Sequence, residues 1–184
     1  MRVRVMPLTE AATLTEPLAA GSEEYAARPR HEGVKEQRLA GLRLAAALYR
    51  EETGRPLPPL VLGEYGKPTP TEGAWRFNVT HAGSLVAVAV AEGECGIDLE
   101  AYEDTDLDRA ERLLRIFNER EQALYAAAPD KVRCAVEIFV RKEALSKRDG
   151  RGLSVLRRMD STEPPRYEAR PHDEGGREYY LCVY

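Results

Sequence analysis

Between Val34 and Glu52 apolar side chains recur at Leu39, Leu42, Ala45, Ala46 and Tyr49, a spacing that predicts a helix with one buried face. Gly54 and Pro56 end it, and Arg55 to Pro59 continues as loop. Gly66-Lys67-Pro68 lies in a second turn region that reaches Gly73. Arg76 to Thr80 and Leu85 to Ala91 read as strands joined by a turn at Ala82-Gly83-Ser84, and Cys95 to Glu100 reads as a third. Asp106 or Asp108 can cap a helix through Phe117 whose stripe is Leu107, Ala110, Leu113, Leu114 and Phe117. Asn118, followed three residues on by Glu121, has the form of a fresh helix start. Asp130 can cap another helix to about Arg148, stopped by Gly150 and Gly152. Beyond Pro164 and Pro165, the segments Arg166 to Arg170 and Arg177 to Tyr184 read as strands around a His172–Gly176 turn. Helix plus strands therefore occurs twice. The expected class is α+β, with similar halves at 1–102 and 103–184.

A chain of 184 residues is long enough to bury a core without a disulfide or structural metal. Cys95, Cys134 and Cys182 are odd in number and far apart, which suits reduced thiols of a cytoplasmic protein. Pro7, Thr9 and Glu10 interrupt any leader, and the longest apolar run, Leu85 to Ala91, is too short for a bilayer. The expectation is a soluble protein with no membrane and, at a net charge of −4, no dedicated nucleic-acid partner.

That net charge hides segregation. Arg28 to Arg50 carries six basic and two acidic residues, Glu92 to Asp108 eight acidic and no basic, and Arg133 to Arg158 eight basic and three acidic. An acidic segment between two basic arms would suit a metal-bound polyphosphate, although solvated faces look the same from charge alone.

Three segments carry candidate chemistry. In Gly96-Ile97-Asp98-Leu99-Glu100, strand alternation sends Ile97 and Leu99 to the core and puts Asp98 and Glu100 on the other face, Cα atoms ~6.5–7 Å apart. Two carboxylates so spaced can reach one hard cation such as Mg²⁺; any half-exposed strand also alternates in this way. In Phe139 to Lys147, Glu143 and Lys147 share a helix face, a common surface pairing, but Arg141, Lys142, Arg148 and Arg151 crowd around them. Such a neighbourhood would hold phosphates and leave one carboxylate to bind metal or accept a proton. His81 ends a strand beside Thr80, where it can contact a phosphate or serve only as a hydrogen-bonded structural residue.

In order, Tyr65-Gly66-Lys67-Pro68, Phe77-Asn78-Val79-Thr80-His81, Gly96 to Glu100, and Lys142-Glu143-Ala144 with Lys147 together resemble the 4′-phosphopantetheinyl transferases of the Sfp-like (surfactin-synthetase-activating) type. The likeness covers roughly Glu64 to Leu153, with Thr80 where Ser is usual and Phe139 where Trp is usual. It implies two α/β halves related by a pseudo-twofold in one monomer, with a coenzyme A cleft between them. The implied reaction moves the phosphopantetheine arm of coenzyme A to a serine of an apo carrier protein of acyl, polyketide or nonribosomal-peptide type, releasing adenosine 3′,5′-bisphosphate. Asp98, Glu100 and Glu143 are then implied as ligands of Mg²⁺, or of Mn²⁺. Lys147 and Lys142 are implied at the pyrophosphate and His81 at the 3′-phosphate, with Thr80 beside it. Gly66, Lys67 and Pro68 are implied at the adenine, and Arg28, Arg30 and Arg38 as further phosphate contacts. Glu143, directly or through a water, would be the base, with Lys147 as its catalytic partner. Arg109, Arg112, Leu113, Arg115, Ile116 and Phe117 are candidates for carrier docking. The rival readings are an Mg²⁺-dependent nucleotide or coenzyme A hydrolase and a coenzyme A-binding module without turnover.

Overall fold

The computed structural model of the protein describes residues 1–28 and 32–184, so Arg30 lies outside the described residues. The chain divides into two units, Met1–Cys95 and Gly96–Tyr184. The division falls ahead of the acidic strand, whereas the sequence pattern placed it after residue 102.

The first unit begins with β1 (Arg2–Pro7), α1 (Leu8–Ala12), α2 (Ser22–Ala27) and α3 (Glu32–Thr53). It continues with the short pair β2 (Leu60–Leu62) and β3 (Pro68–Pro70), then β4 (Trp75–Ala82) and β5 (Leu85–Glu92). Its sheet is antiparallel in the order β1-β5-β4. As the middle strand, β5 is buried from Leu85 to Ala91, which is why it reads as a continuous apolar run rather than an alternation. Val86, Val88 and Val90 pack with Phe77 of β4 against Leu42, Ala45, Leu48 and Tyr49 of α3. Of the α3 stripe predicted from spacing, Leu42, Ala45, Ala46 and Tyr49 are thus in the wall of the first core, while Leu39 is only partly buried. The alternation in Arg2-Val3-Arg4-Val5 is that of β1, whose arginines lie opposite Val90 and Val88 on the α3 side of the sheet and reach α3 itself: Arg2 Nε to Glu52 at 2.7 Å and Arg4 bidentate to Glu51 at 2.9 and 2.7 Å.

The second unit runs β6 (Ile97–Ala101), α4 (Leu107–Leu113), α5 (Glu119–Ala127), α6 (Lys131–Asp149), β7 (Tyr167–Ala169) and β8 (Tyr179–Val183). Its antiparallel sheet has the order β6-β8-β7. The helix expected to reach Phe117 stops earlier, passing into a tight turn at Leu114–Ile116 and leaving Phe117 extended in the core. Three caps expected from sequence are made. Asp106 accepts the Arg109 amide at 2.7 Å, Asn118 and Glu121 form a reciprocal capping box, and Asp130 accepts the Arg133 amide at 2.9 Å. Val136, Val140, Ala144 and Leu145 of α6 pack with Tyr180, Cys182 and Tyr184 into the second core, while Phe139 is only half-buried. Among the described residues no helix is long and apolar enough to cross a membrane.

Gly96 determines how closely α6 approaches the start of β6. A Cβ at this position would fall on the Ala144 carbonyl and the Arg148 amide nitrogen, so only glycine lets helix backbone and strand backbone meet.

Candidate functional site

β6 and α6 carry the acidic site. In register, Asp98 lies opposite Cys182 and Glu100 opposite Tyr180, both partners belonging to the core under α6. Asp98 and Glu100 therefore share the α6 side of the sheet, and Ile97 and Leu99 take the other, as alternation predicts. The strand is less exposed than a half-solvated one, since Asp98 is only 5% accessible.

Glu143 and Lys147 sit one turn apart on α6. Lys147 Nζ donates to Asp98 Oδ1 at 2.5 Å, linking helix to strand. Arg109 Nη2 stands 3.8 Å from Glu100 Oε1, held there by a bond from its Nη1 to the Asp104 carbonyl at 2.9 Å. Among the described contacts negative charge still exceeds positive. Burial first, and then the Asp98 carboxylate, push the Glu100 carboxyl up to about 7 against the pull of Arg109 and Lys147. Burial and then Asp98 also push Glu143 up to about 7; Lys147 opposes this and Glu100 adds to it. Three carboxylates thus feel one another across β6 and α6.

As placed, no three His, Cys, Asp or Glu side chains among the described residues are gathered closely enough to hold a metal ion. The donor chemistry nevertheless suits Mg²⁺. Every donor is a carboxylate oxygen, and the shared excess charge that raises Glu100 and Glu143 is what a divalent cation would relieve.

Lys142 departs from its expected place at a pyrophosphate. Its side chain is fully buried, with Nζ donating to Glu121 Oε2 at 2.6 Å and to the Met159 carbonyl at 2.6 Å. A lysine spent on two buried acceptors is not available to a ligand. Of the docking candidates, Phe117 is core and Arg109 is engaged with Glu100, whereas Arg112 and Arg115 are exposed.

In the first unit, His81 is half-buried in β4 opposite Val86, and its neighbour Thr80, 5% exposed, points to the other face. Lys67 Nζ bonds Glu94 Oε2 at 2.6 Å and the Cys95 carbonyl at 3.3 Å, and Pro68 is buried in β3. Arg38 donates to the Tyr25 carbonyl at 3.1 Å and stacks 4.7 Å over that ring. Arg28 lies against Gly66, where its guanidinium fills the space a Cβ would need. These placements bring Arg28 and Gly66 together.

Sequence reasoning missed Glu121 as anything beyond a cap, because its lysine partner is 21 residues away. It also missed Arg109 as the cation beside Glu100.

The model of the 4′-phosphopantetheinyl transferase superfamily matches residues 94–180. A protein of Escherichia coli O157:H7 named 4′-phosphopantetheinyl transferase AcpT is 34% identical over 148 residues, 74% of this chain and 73% of that protein. Its namesake from Salmonella typhimurium is 37% identical over 114 residues, 59% of this chain; there the chain spans 58% of the relative's length.

Proposed function

Because the chain belongs to the 4′-phosphopantetheinyl transferase superfamily, we propose that it transfers the phosphopantetheine arm of coenzyme A to a serine hydroxyl of an apo carrier protein. The observation that carries this reading is the meeting of β6 and α6: Lys147 on Asp98 at 2.5 Å, with Glu100 and Glu143 both pushed up to about 7 beside them.

In the reaction the serine oxygen forms a new bond to phosphorus, the bond to the adenosine-side phosphate breaks, and adenosine 3′,5′-bisphosphate leaves. The serine proton needs an acceptor, and Glu143 is the carboxylate assigned to it. Lys147, tethered to Asp98, offers its ammonium to the anionic pyrophosphate and steadies charge on the leaving group. Asp98, Glu100 and Glu143 would hold Mg²⁺, which supplies Lewis-acid neutralisation of the same phosphates when bound. Contacts to coenzyme A by His81, Thr80, Lys67, Gly66, Pro68, Arg28 and Arg38 rest on the family likeness. Exposed Arg112 and Arg115 are our candidates for the carrier's docking site.

The test is to incubate the protein with coenzyme A, Mg²⁺ and a panel of apo carriers and to weigh the carriers by mass spectrometry. A mass gain of one phosphopantetheinyl group, lost in Asp98→Ala and Glu143→Gln, is the expected result. Cleavage of coenzyme A with no carrier gaining mass would instead identify a hydrolase.

A further inference from the structure

A second lysine of α6 is paired with a carboxylate, and we propose that the two members, Glu121 of α5 and Lys142 of α6, are positioning residues whose buried bond fixes the roll of α6 and so holds Glu143 and Lys147 against β6. What those two held side chains do rests on the transferase reading. How they are held does not.

Both members are completely shielded from solvent. Lys142 Nζ donates to Glu121 Oε2 and to the Met159 carbonyl, both at 2.6 Å. Glu121 Oε1 accepts the Ser161 amide at 2.9 Å, and its Oε2 also accepts the Asn118 amide at 2.8 Å. The start of α5, the middle of α6 and the segment 159–161 therefore converge on one carboxylate. Each of these bonds has a preferred length and direction, whereas apolar packing at the same point would be non-directional.

Helix geometry carries the constraint to the site. Glu143 follows Lys142 directly, and Lys147 lies on the same face as Glu143 one turn later. A roll of about 20° moves a side chain ~5–6 Å from the helix axis by roughly 2 Å. The 2.5 Å bond from Lys147 to Asp98 does not survive such a displacement. A buried ion pair adds little net stability over well-packed hydrophobic side chains of similar volume, so its distinctive contribution at this point is orientation.

The test compares wild type with the double variant Glu121→Gln/Lys142→Met, which removes both charges but turns the glutamine NH2 toward one of the two backbone amides and leaves the Met159 carbonyl without its donor. The readouts are the urea midpoint, kcat, KM for coenzyme A, and Mg²⁺ affinity by calorimetry. We expect a midpoint lowered less than in Lys142→Met alone, a kcat lowered at least tenfold with KM changing less than twofold, and Mg²⁺ binding weakened about tenfold. A folded double variant with wild-type kcat and wild-type Mg²⁺ affinity would overturn the proposal. If the double variant does not fold, Lys142→Arg decides in the same way, since it keeps the charge and alters its reach. If wild type transfers nothing to any carrier, the transferase reading fails while the Mg²⁺ affinities still judge the positioning role.

Discussion

Two lysines five residues apart on α6 each hold a carboxylate at nearly the same distance, 2.6 Å for Lys142–Glu121 and 2.5 Å for Lys147–Asp98, yet they do opposite work. Around Lys142 the account is closed: one carboxylate, two backbone amides and a carbonyl satisfy every buried charge. Around Lys147 one ammonium and the more distant Arg109 face three carboxylates, two of them driven up to about 7. On the function proposed above, the same contact serves as scaffold where charges balance and as reactive centre where they do not. Distance alone does not distinguish the two.

The sharpest way to break this contrast is to delete each lysine. Lys142→Met leaves Glu121 buried without its cation and is expected to lower unfolding free energy by about 3–5 kcal/mol in urea titration. Lys147→Met, at a pair whose lysine is partly exposed while Asp98 is buried, is expected to cost less stability than Lys142→Met while reducing transfer about 10²-fold or more. Equal stability losses would erase the distinction. Gly96→Ala comes next. Its methyl must displace α6 from β6, at about 1–3 kcal/mol, with carrier modification falling alongside. A variant of native stability and native rate would show that this close approach is dispensable.

Smaller effects follow from the titration of the site. A carboxyl raised from 4.5 to about 7 by folding binds more protons in the folded than the unfolded state between those values. Its contribution is favourable below about 4.5 and is lost as pH rises toward 7. With chelator present, the melting temperature should therefore decline across pH 5 to 7, and Glu100→Gln should flatten that slope in calorimetry. Adding Mg²⁺ should raise the melting temperature more at pH 7.5 than at pH 5.5. Glu51 and Glu178, lowered by bonds from Arg4 and Arg133, lose their stabilising share only below the ordinary carboxylate range, outside that window. The smallest effect is at the exposed rim. Arg112→Glu is expected to raise the KM for a carrier several-fold and leave that for coenzyme A unchanged in steady-state assays.

Much of this was legible in advance because it is local. The α6 stripe, the Asn118–Glu121 box and the Asp98/Glu100 alternation each express a period or a cap within a few residues. β1 is equally local, but an Arg-Val alternation at the start of the chain also has the basic opening of a leader. What could not be read is long-range. β2 and β3 are three-residue strands that exist because they pair with each other. The inward turn of Lys142 depends on Glu121 and on the backbone at 159–161, so its basic neighbours suggested a phosphate ligand. The early division at Cys95–Gly96 follows from β6 pairing with β8.

That last pairing has a consequence for biosynthesis. Asp98 finds its register against Cys182, nearly half the polypeptide later, so the acidic strand has no ladder partner until that stretch has left the ribosome. Met1 to Cys95 can fold before β8 is made, while the carboxylate-bearing strand waits for β8 to emerge. Activity should therefore mature later than most of the protein's structure, and a stalled or prematurely terminated product would be a folded first unit without chemistry.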